Sequence, residues 1–248
     1  GFKSHSLHST SIFIKCVIQF ELPHQSNQRP LPVCTALSNR VKPQDMTLCG
    51  GHMTDLVNFD GLATAEVNPA VIEASQQWLS LNSSPSSLHP LGEATQNMHA
   101  RVREKVAARV GCNPSEVIFT RGIAEADNLA LKGFAKRTEA TEKSLSVLST
   151  EPLTTLNCAR EIVKHDWELS TLPVDGEGVV DLRSAKSILS TNTALVAAHL
   201  VNEETGVIQP ITELVTMVRE IAPDAKIHCN GRGGIGRIPF SFVDLGVD

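Results

Sequence analysis

The sequence predicts an α/β fold of three layers, a mostly parallel sheet covered by helices on both faces, preceded by a poorly structured N-terminal extension. Three observations carry this. From Val57 onward, short apolar runs of strand length alternate with longer runs of helical spacing, and strands spaced by helices imply parallel pairing with both faces buried. Within that alternation, Phe119-Thr-Arg-Gly-Ile-Ala-Glu-Ala-Asp-Asn128 reads as a strand turning on a glycine into a helix. Residues 1–52 lack the alternation altogether.

The extension also differs in charge. Residues 1–52 hold five basic residues (Lys3, Lys15, Arg29, Arg40, Lys42) and two acidic ones (Glu21, Asp45), a local +3. With −5 overall, the remainder carries −5 − 3 = −8. Serine, histidine and proline abound there, beside one apolar stretch at Ser11-Ile-Phe-Ile-Lys-Cys-Val-Ile18. Two readings fit, an organelle transit peptide or an unstructured extension upstream of a start at Met46 or Met53. The initial Gly1 favours the second. The compartment is accordingly cytoplasmic, or organellar if residues 1–52 are a transit segment. The domain that follows is expected to span residues 53–248.

Its elements follow in order. Leu56–Phe59 is a short strand, and Asn68-Pro69 opens a helix with proline in the first turn, where its missing N–H costs nothing. Val71, Ile72, Ala74, Trp78 and Leu79 recur with helical spacing there. A loop, Asn82–His89, leads to a long helix from about Gly92 to Val110, stopped by Gly111. Glu116–Phe119 is the strand before the glycine turn, and a helical run starts at Glu125. Further strands are Ser146–Ser149, Glu168–Leu172, Thr193–His199 and Lys226–Cys229; further helices are Thr154–His165, Asp181–Leu189 and Ile211–Ile221.

Composition narrows the function. The chain of 248 residues is 41% hydrophobic and 20% charged, as a globular core requires. A net charge of −5 argues against nucleic acid as a partner, because neutralising phosphates takes a basic surface. No apolar run approaches the ~20 residues of a membrane span. Cysteines 16, 34, 49, 112, 158 and 229 are scattered without a CxxC pair, so neither structural zinc nor a disulfide scaffold is expected and a reducing compartment fits.

The glycine turn carries the chemistry. Backbone N–H groups of Gly122, Ile123 and Ala124 at a helix start face outward at the positive end of its dipole, a natural cradle for phosphate. Many α/β proteins use such turns only to reverse the chain, so the neighbours decide. Six segments in order do so: Asp60-x-x-Ala-Thr64, Ser84-Pro-Ser-Ser-Leu-His89, Phe119-Thr-x-Gly-x-x-Glu-Ala-Asp-Asn128, Leu172-Pro-Val-Asp175, Asn202-x-Glu-Thr-Gly-Val-Ile-Gln-Pro-Ile211 and Gly236-x-Ile-Pro239. Together they resemble the cysteine desulfurase and selenocysteine lyase group of class V aminotransferases, over about residues 56–248.

The resemblance implies the large domain of a pyridoxal-phosphate (PLP) enzyme. It implies L-cysteine or L-selenocysteine as substrate, alanine and an enzyme persulfide as products, and a place in sulfur metabolism and iron–sulfur cluster assembly. It also implies dimerisation through the large domain, as a homodimer or with a related subunit. Such a site needs a phosphate cradle, a ring-stacking side chain, a partner for the pyridine nitrogen, a partner for the ring hydroxyl and a Schiff-base lysine. The positions implied for cofactor contact are Gly122, Ile123, Ala124, Asn202 and Asn230.

Several of these depart from the family's pattern. Ala124 replaces a phosphate-binding threonine and Arg121 a serine; Pro152 stands where the family's Glu-His-Pro motif has its stacking histidine. Asn230 replaces the aspartate that keeps the pyridine nitrogen protonated, Glu203 an asparagine, and Gly233 a glutamine near the ring oxygen. The lysine, in a Ser-x-His-Lys motif, would follow the Leu-Gly-Val-Asp that ends at Asp248, and so would the catalytic cysteine. His165 and His199 read as ordinary polar or core histidines, Lys226 as a strand residue, and neither Cys158 nor Cys229 as a sulfur acceptor. No catalytic residue and no metal site is assigned. The expectation is a desulfurase-like chain impaired in catalysis as given. The alternatives are a fragment of an active desulfurase or lyase, and a non-catalytic dimerisation or assembly partner.

Overall fold

A computed structural model describes residues 47–48, 51–52, 67–79, 83–138 and 143–248. Of the first 52 residues, Thr47–Leu48 (β1) and Gly51–His52 (β2) form a minimal antiparallel pair. The strand expected at Leu56–Phe59 lies outside the described residues. Pro69–Leu79 is α1, and the Asn68 side chain caps it by accepting from Ala70 N at 2.9 Å. Its apolar positions Val71, Ile72 and Leu79 remain exposed against the described residues. Pro90–Val110 is α2, capped by His89 and ended at Gly111, whose φ of 74° lies in the left-handed region that glycine tolerates.

The run expected as a strand over Glu116–Phe119 folds differently. Pro114–Glu116 is a 3₁₀ turn, and Glu116 Oε2 accepts from Asn113 N at 2.7 Å and Asn113 Nδ2 at 3.2 Å. Proline and an asparagine cap outbid the β preference of the first residue, leaving only buried Val117 in a single bridge. The helix after the glycine turn starts at Ile123 and runs without a break to Arg137. It comprises α3 (Ile123–Asp127), a π turn at Asn128–Lys132 and α4 (Gly133–Arg137).

The remaining segments alternate as strand and helix. They are β3 (Ser144–Leu148), α5 (Leu153–Val163), β4 (Glu168–Leu172), α6 (Leu182–Ile188), β5 (Thr193–His199), α7 (Ile211–Ile221), β6 (Lys226–Asn230) and α8 (Phe242–Leu245). The four strands form a parallel sheet in the order β4-β3-β5-β6. Period-two alternation divides the core in two. Leu145 and Val147 of β3, with Leu195 and Ala197 of β5, pack with Leu131, Cys158, Ala159 and Ile162 from the helix over 123–137 and α5. Leu148, Val196, Ala198 and Ile227 pack on the other face with Ala185 of α6 and Leu214 and Val218 of α7. This is the three-layer α/β arrangement expected from the sequence.

Asp248 fastens the end of the described chain. Its carboxylate accepts from Arg219 Nη2 at 2.6 Å, Lys226 Nζ at 3.0 Å and Ile227 N at 3.0 Å. Burial alone would raise its pKa, but these three donors outweigh it and hold the group below the usual aspartate value.

Candidate functional site

From β3 the chain crosses to β4 on one side of the sheet and later to β5 on the other. In open α/β sheets that reversal opens a crevice at the carboxyl ends of the two strands, where ligands bind. Here the segments that meet at that point are Ser149–Pro152 after β3, Leu200–Gln209 after β5 and the end of β6 at Asn230 with Gly231–Gly236 after it.

Its floor is a buried polar network. His199 Nδ1 lies 2.7 Å from Glu151 Oε1, with side chains 2% and 0% exposed. Gln209 Oε1 accepts from Val180 N at 2.9 Å, which turns its Nε2 toward the Gly178 carbonyl at 2.8 Å and His199 Nε2 at 3.5 Å. A donor facing Nε2 places the imidazole proton on Nδ1, so Nδ1–H donates to Glu151. His199 is therefore held in the core through both ring nitrogens.

The helix that the glycine turn begins packs against α5. Gly122 has an extended backbone (φ 160°, ψ −178°) and precedes the first turn of α3. Arg121 N donates to Glu125 Oε2 at 2.8 Å, so one N–H of the turn serves the helix's own cap. Asn128 Nδ2 reaches back to the Ala124 carbonyl at 2.6 Å. Asp127 is 2% exposed; its Oδ2 accepts from Thr155 Oγ1 at 3.1 Å, and its Oδ1 lies 3.3 Å from His228 Nε2, within ion-pair reach though without an aligned hydrogen bond. Through Asp127 these contacts tie α3 to α5 and bring it against β6.

Polar contacts and glycine packing draw the three crevice segments together. Asn202 Nδ2 donates to the Thr150 carbonyl at 3.2 Å, and its Oδ1 accepts from Glu204 N and Thr205 N. Asn230 Oδ1 accepts from Arg232 N at 3.1 Å, so its amide oxygen serves its own turn. Arg232 Nη1 donates to Glu203 Oε2 at 2.8 Å, bridging the segments after β5 and β6. A Cβ at Gly233 would stand 2.7 Å from the Val201 carbonyl oxygen, and one at Gly234 2.8 Å from Leu200 Cδ2. The turn after β6 is seated directly on the segment after β5.

The other residues weighed from the sequence lie elsewhere or are inert. His165 is exposed just before β4, at the amino end of the sheet. Lys226 starts β6, ~13 Å of strand from Asn230 at 3.3 Å per residue, and pairs with Asp248. Burial, with Asp127 adding to it, pushes the Cys158 thiol up to about 11; burial and the Glu151 charge push Cys229 up further. A thiol held protonated is a poor nucleophile. Pro152 is the residue before α5 and brings no imidazole. Sequence reasoning missed Arg232, Asp127 and the Glu151–His199 pair. Their hydrogen-bond partners lie 28 to 48 residues away, and His228 lies further still from Asp127, so no local pattern encodes them.

A family model described as Aminotransferase class-V matches residues 57–248. The chain belongs to this family. Among relatives, a cysteine desulfurase IscS of Dictyoglomus turgidum is 34% identical over 193 residues, covering 77% of this chain and 48% of that protein. A human cysteine desulfurase is 31% identical, covering 77% and 42%. A mitochondrial cysteine desulfurase of Candida albicans is 30% identical, covering 88% and 44%. The chain thus spans about half the length of the curated relatives it matches. Of solved structures, a NifS-like protein superposes with a TM-score of 0.74 at 30% identity, over 77% of this chain and 52% of that one. SspA in complex with cysteine gives 0.71 at 28% identity, over 77% and 55%. PLP is the cofactor general to this family. No helix among the described residues is long and apolar enough to cross a membrane.

Proposed function

We propose that this chain is a cysteine-desulfurase-like member of the family whose site neither retains PLP productively nor turns over L-cysteine. The observation that carries this is the closure at residue 233. Where the resemblance expects a glutamine beside the ring oxygen, the backbone approaches Val201 so closely that no Cβ fits. Three further features support it. Pro152 offers no imidazole, the Asn230 amide brings no charge and has its oxygen bound within its own turn, and Glu203 puts a carboxylate where a neutral amide is expected. The residues present do not fit the cofactor, and no catalytic step is assigned to them.

The structure solved with cysteine and the relatives' names support L-cysteine as the ligand from which this site diverged. A second reading, a portion of an active desulfurase, is favoured by coverage of only 42% to 48% of the relatives' length. A longer chain could supply the lysine and the catalytic cysteine. It would still carry Ala124, Pro152, Glu203, Asn230 and Gly233, and those positions are why the impaired reading is preferred. Residues 53–248 form the proposed domain, and a dimer with a related subunit is the proposed assembly. The compartment is the cytoplasm, or an organelle if residues 1–52 direct import.

The cofactor test is direct. Mixed with PLP, the purified chain is expected to show no visible band of lysine-bound PLP, and borohydride should fix PLP to no specific lysine. A reducible adduct mapped to a single lysine would overturn the reading.

A further inference from the structure

We propose that the Glu203–Arg232 pair is a built-in latch that closes the crevice over the switch point and makes the site self-supporting without any ring-sized ligand. The inference rests on the reading above and deepens it by naming what holds the site shut.

Glu203 lies on the segment after β5 and Arg232 on the turn after β6, and their contact at 2.8 Å is the only charge-assisted bond among the described residues that joins these two segments. It works with neutral contacts: Leu200 N donates to the Asn230 carbonyl at 2.8 Å, and Gly233 and Gly234 pack on Val201 and Leu200. The turn after β6 is itself wound tight, with Gly234 N and Ile235 N both donating to the Gly231 carbonyl at 3.0 Å. A planar ring entering between the segments would have to break the ion pair and lift the glycines.

The pair is asymmetric, and that asymmetry makes the latch testable. The Glu203 side chain is 19% exposed and its Oε1 is buried with no partner, whereas the Arg232 side chain is 36% exposed. Removing the arginine strands a carboxylate that already lacks half its partners. Removing the carboxylate releases a guanidinium that can turn to water. Stranding the more buried partner therefore costs more than freeing the more exposed one.

The experiment is a double-mutant cycle read by thermal melting, with and without PLP. Arg232→Met is expected to lower the Tm by about 6 °C and Glu203→Gln by about 2 °C, on a scale of ~2–4 °C per kcal/mol for a domain this size. The double variant should melt above Arg232→Met alone, because the stranded charge is gone. Millimolar PLP should leave the wild-type Tm unmoved, since a ligand that bound the native state would raise it. If the two losses simply add, the latch is overturned while an inactive site still stands. If PLP raises the wild-type Tm by several degrees without turnover, the closed-site claim fails and the impairment survives. Should Arg232→Met not fold, Glu203→Gln and the charge-swapped pair Glu203→Arg with Arg232→Glu decide it. Recovery in the swap supports the latch, and a swap no better than the sum of its parts refutes it.

Discussion

Replacing Glu151 by alanine is expected to destabilise the protein by about 1–3 kcal/mol, the usual cost of leaving a buried donor without its acceptor. The carboxylate is wholly enclosed and meets His199 at 2.7 Å. Without it the Nδ1–H of a 2% exposed imidazole has no acceptor, and the far nitrogen has only the long contact with Gln209. Glu151→Gln keeps an acceptor oxygen of the same reach and should recover most of the loss. Denaturant melts of the three proteins check this. Equal losses for alanine and glutamine would show that the carboxylate's charge, and not its acceptor role, holds the histidine. The pair joins the end of β3 to the end of β5, so its loss should loosen the floor of the crevice first.

A comparable loss is expected on the opposite face of the sheet. Leu214 of α7 is 0% exposed and packs in the cluster with Leu148, Val196, Ala198 and Ile227. Leu214→Ala removes buried methylenes and leaves a cavity, a change that costs about 2–5 kcal/mol in well-packed cores. The Tm should fall by about 5–15 °C at ~2–4 °C per kcal/mol. Val71→Ala on α1 is the control. Val71 is 53% exposed, and its truncation should stay within about 0.5 kcal/mol. A Leu214 variant as stable as the Val71 variant would mean that α7 does not cover the sheet as described.

Much of the fold was legible because the local signals agreed. Glu168–Leu172, Thr193–His199 and Ile211–Ile221 form over the residues expected. The runs at 193 and 211 are strongly apolar, and each follows a clear break, Thr191-Asn192 before β5 and Pro210 before α7. Glu116–Phe119 misled because its apolar content was read without the proline two residues earlier and the Asn113–Glu116 cap. α1 shows the converse. Its helical spacing was legible, but what its apolar face packs against was not, and Val71, Ile72 and Leu79 stay exposed.

The candidate site was legible as positions and not as interactions. Motif register pointed to Gly122, Asn202 and Asn230, and the structure sets Asn202 and Asn230 at the carboxyl ends of β5 and β6. It did not say that Asn230 turns its oxygen onto its own turn, or that Arg232 would meet Glu203. Glu203 read alone promised a carboxylate repelling a ring oxygen. Paired with Arg232 across 29 residues, it is a tie between two loops. His199 was rightly read as a core residue, but its partner Glu151 lies 48 residues earlier, beyond any pattern of spacing.

Production of alanine and sulfide from L-cysteine, with PLP supplied, tests the central claim most directly. The unmodified 248-residue chain should stay at background. Asn230→Asp alone should also stay there, because groups that act as a unit do not recover one at a time. Pro152→His and Asn230→Asp, with the Glu203–Arg232 pair removed and a downstream segment bringing the lysine and the catalytic cysteine, is the smallest set expected to bring back measurable turnover. Robust desulfurase activity in the unmodified chain would contradict the account, since it would require working chemistry from a site proposed to be held closed by the Glu203–Arg232 pair.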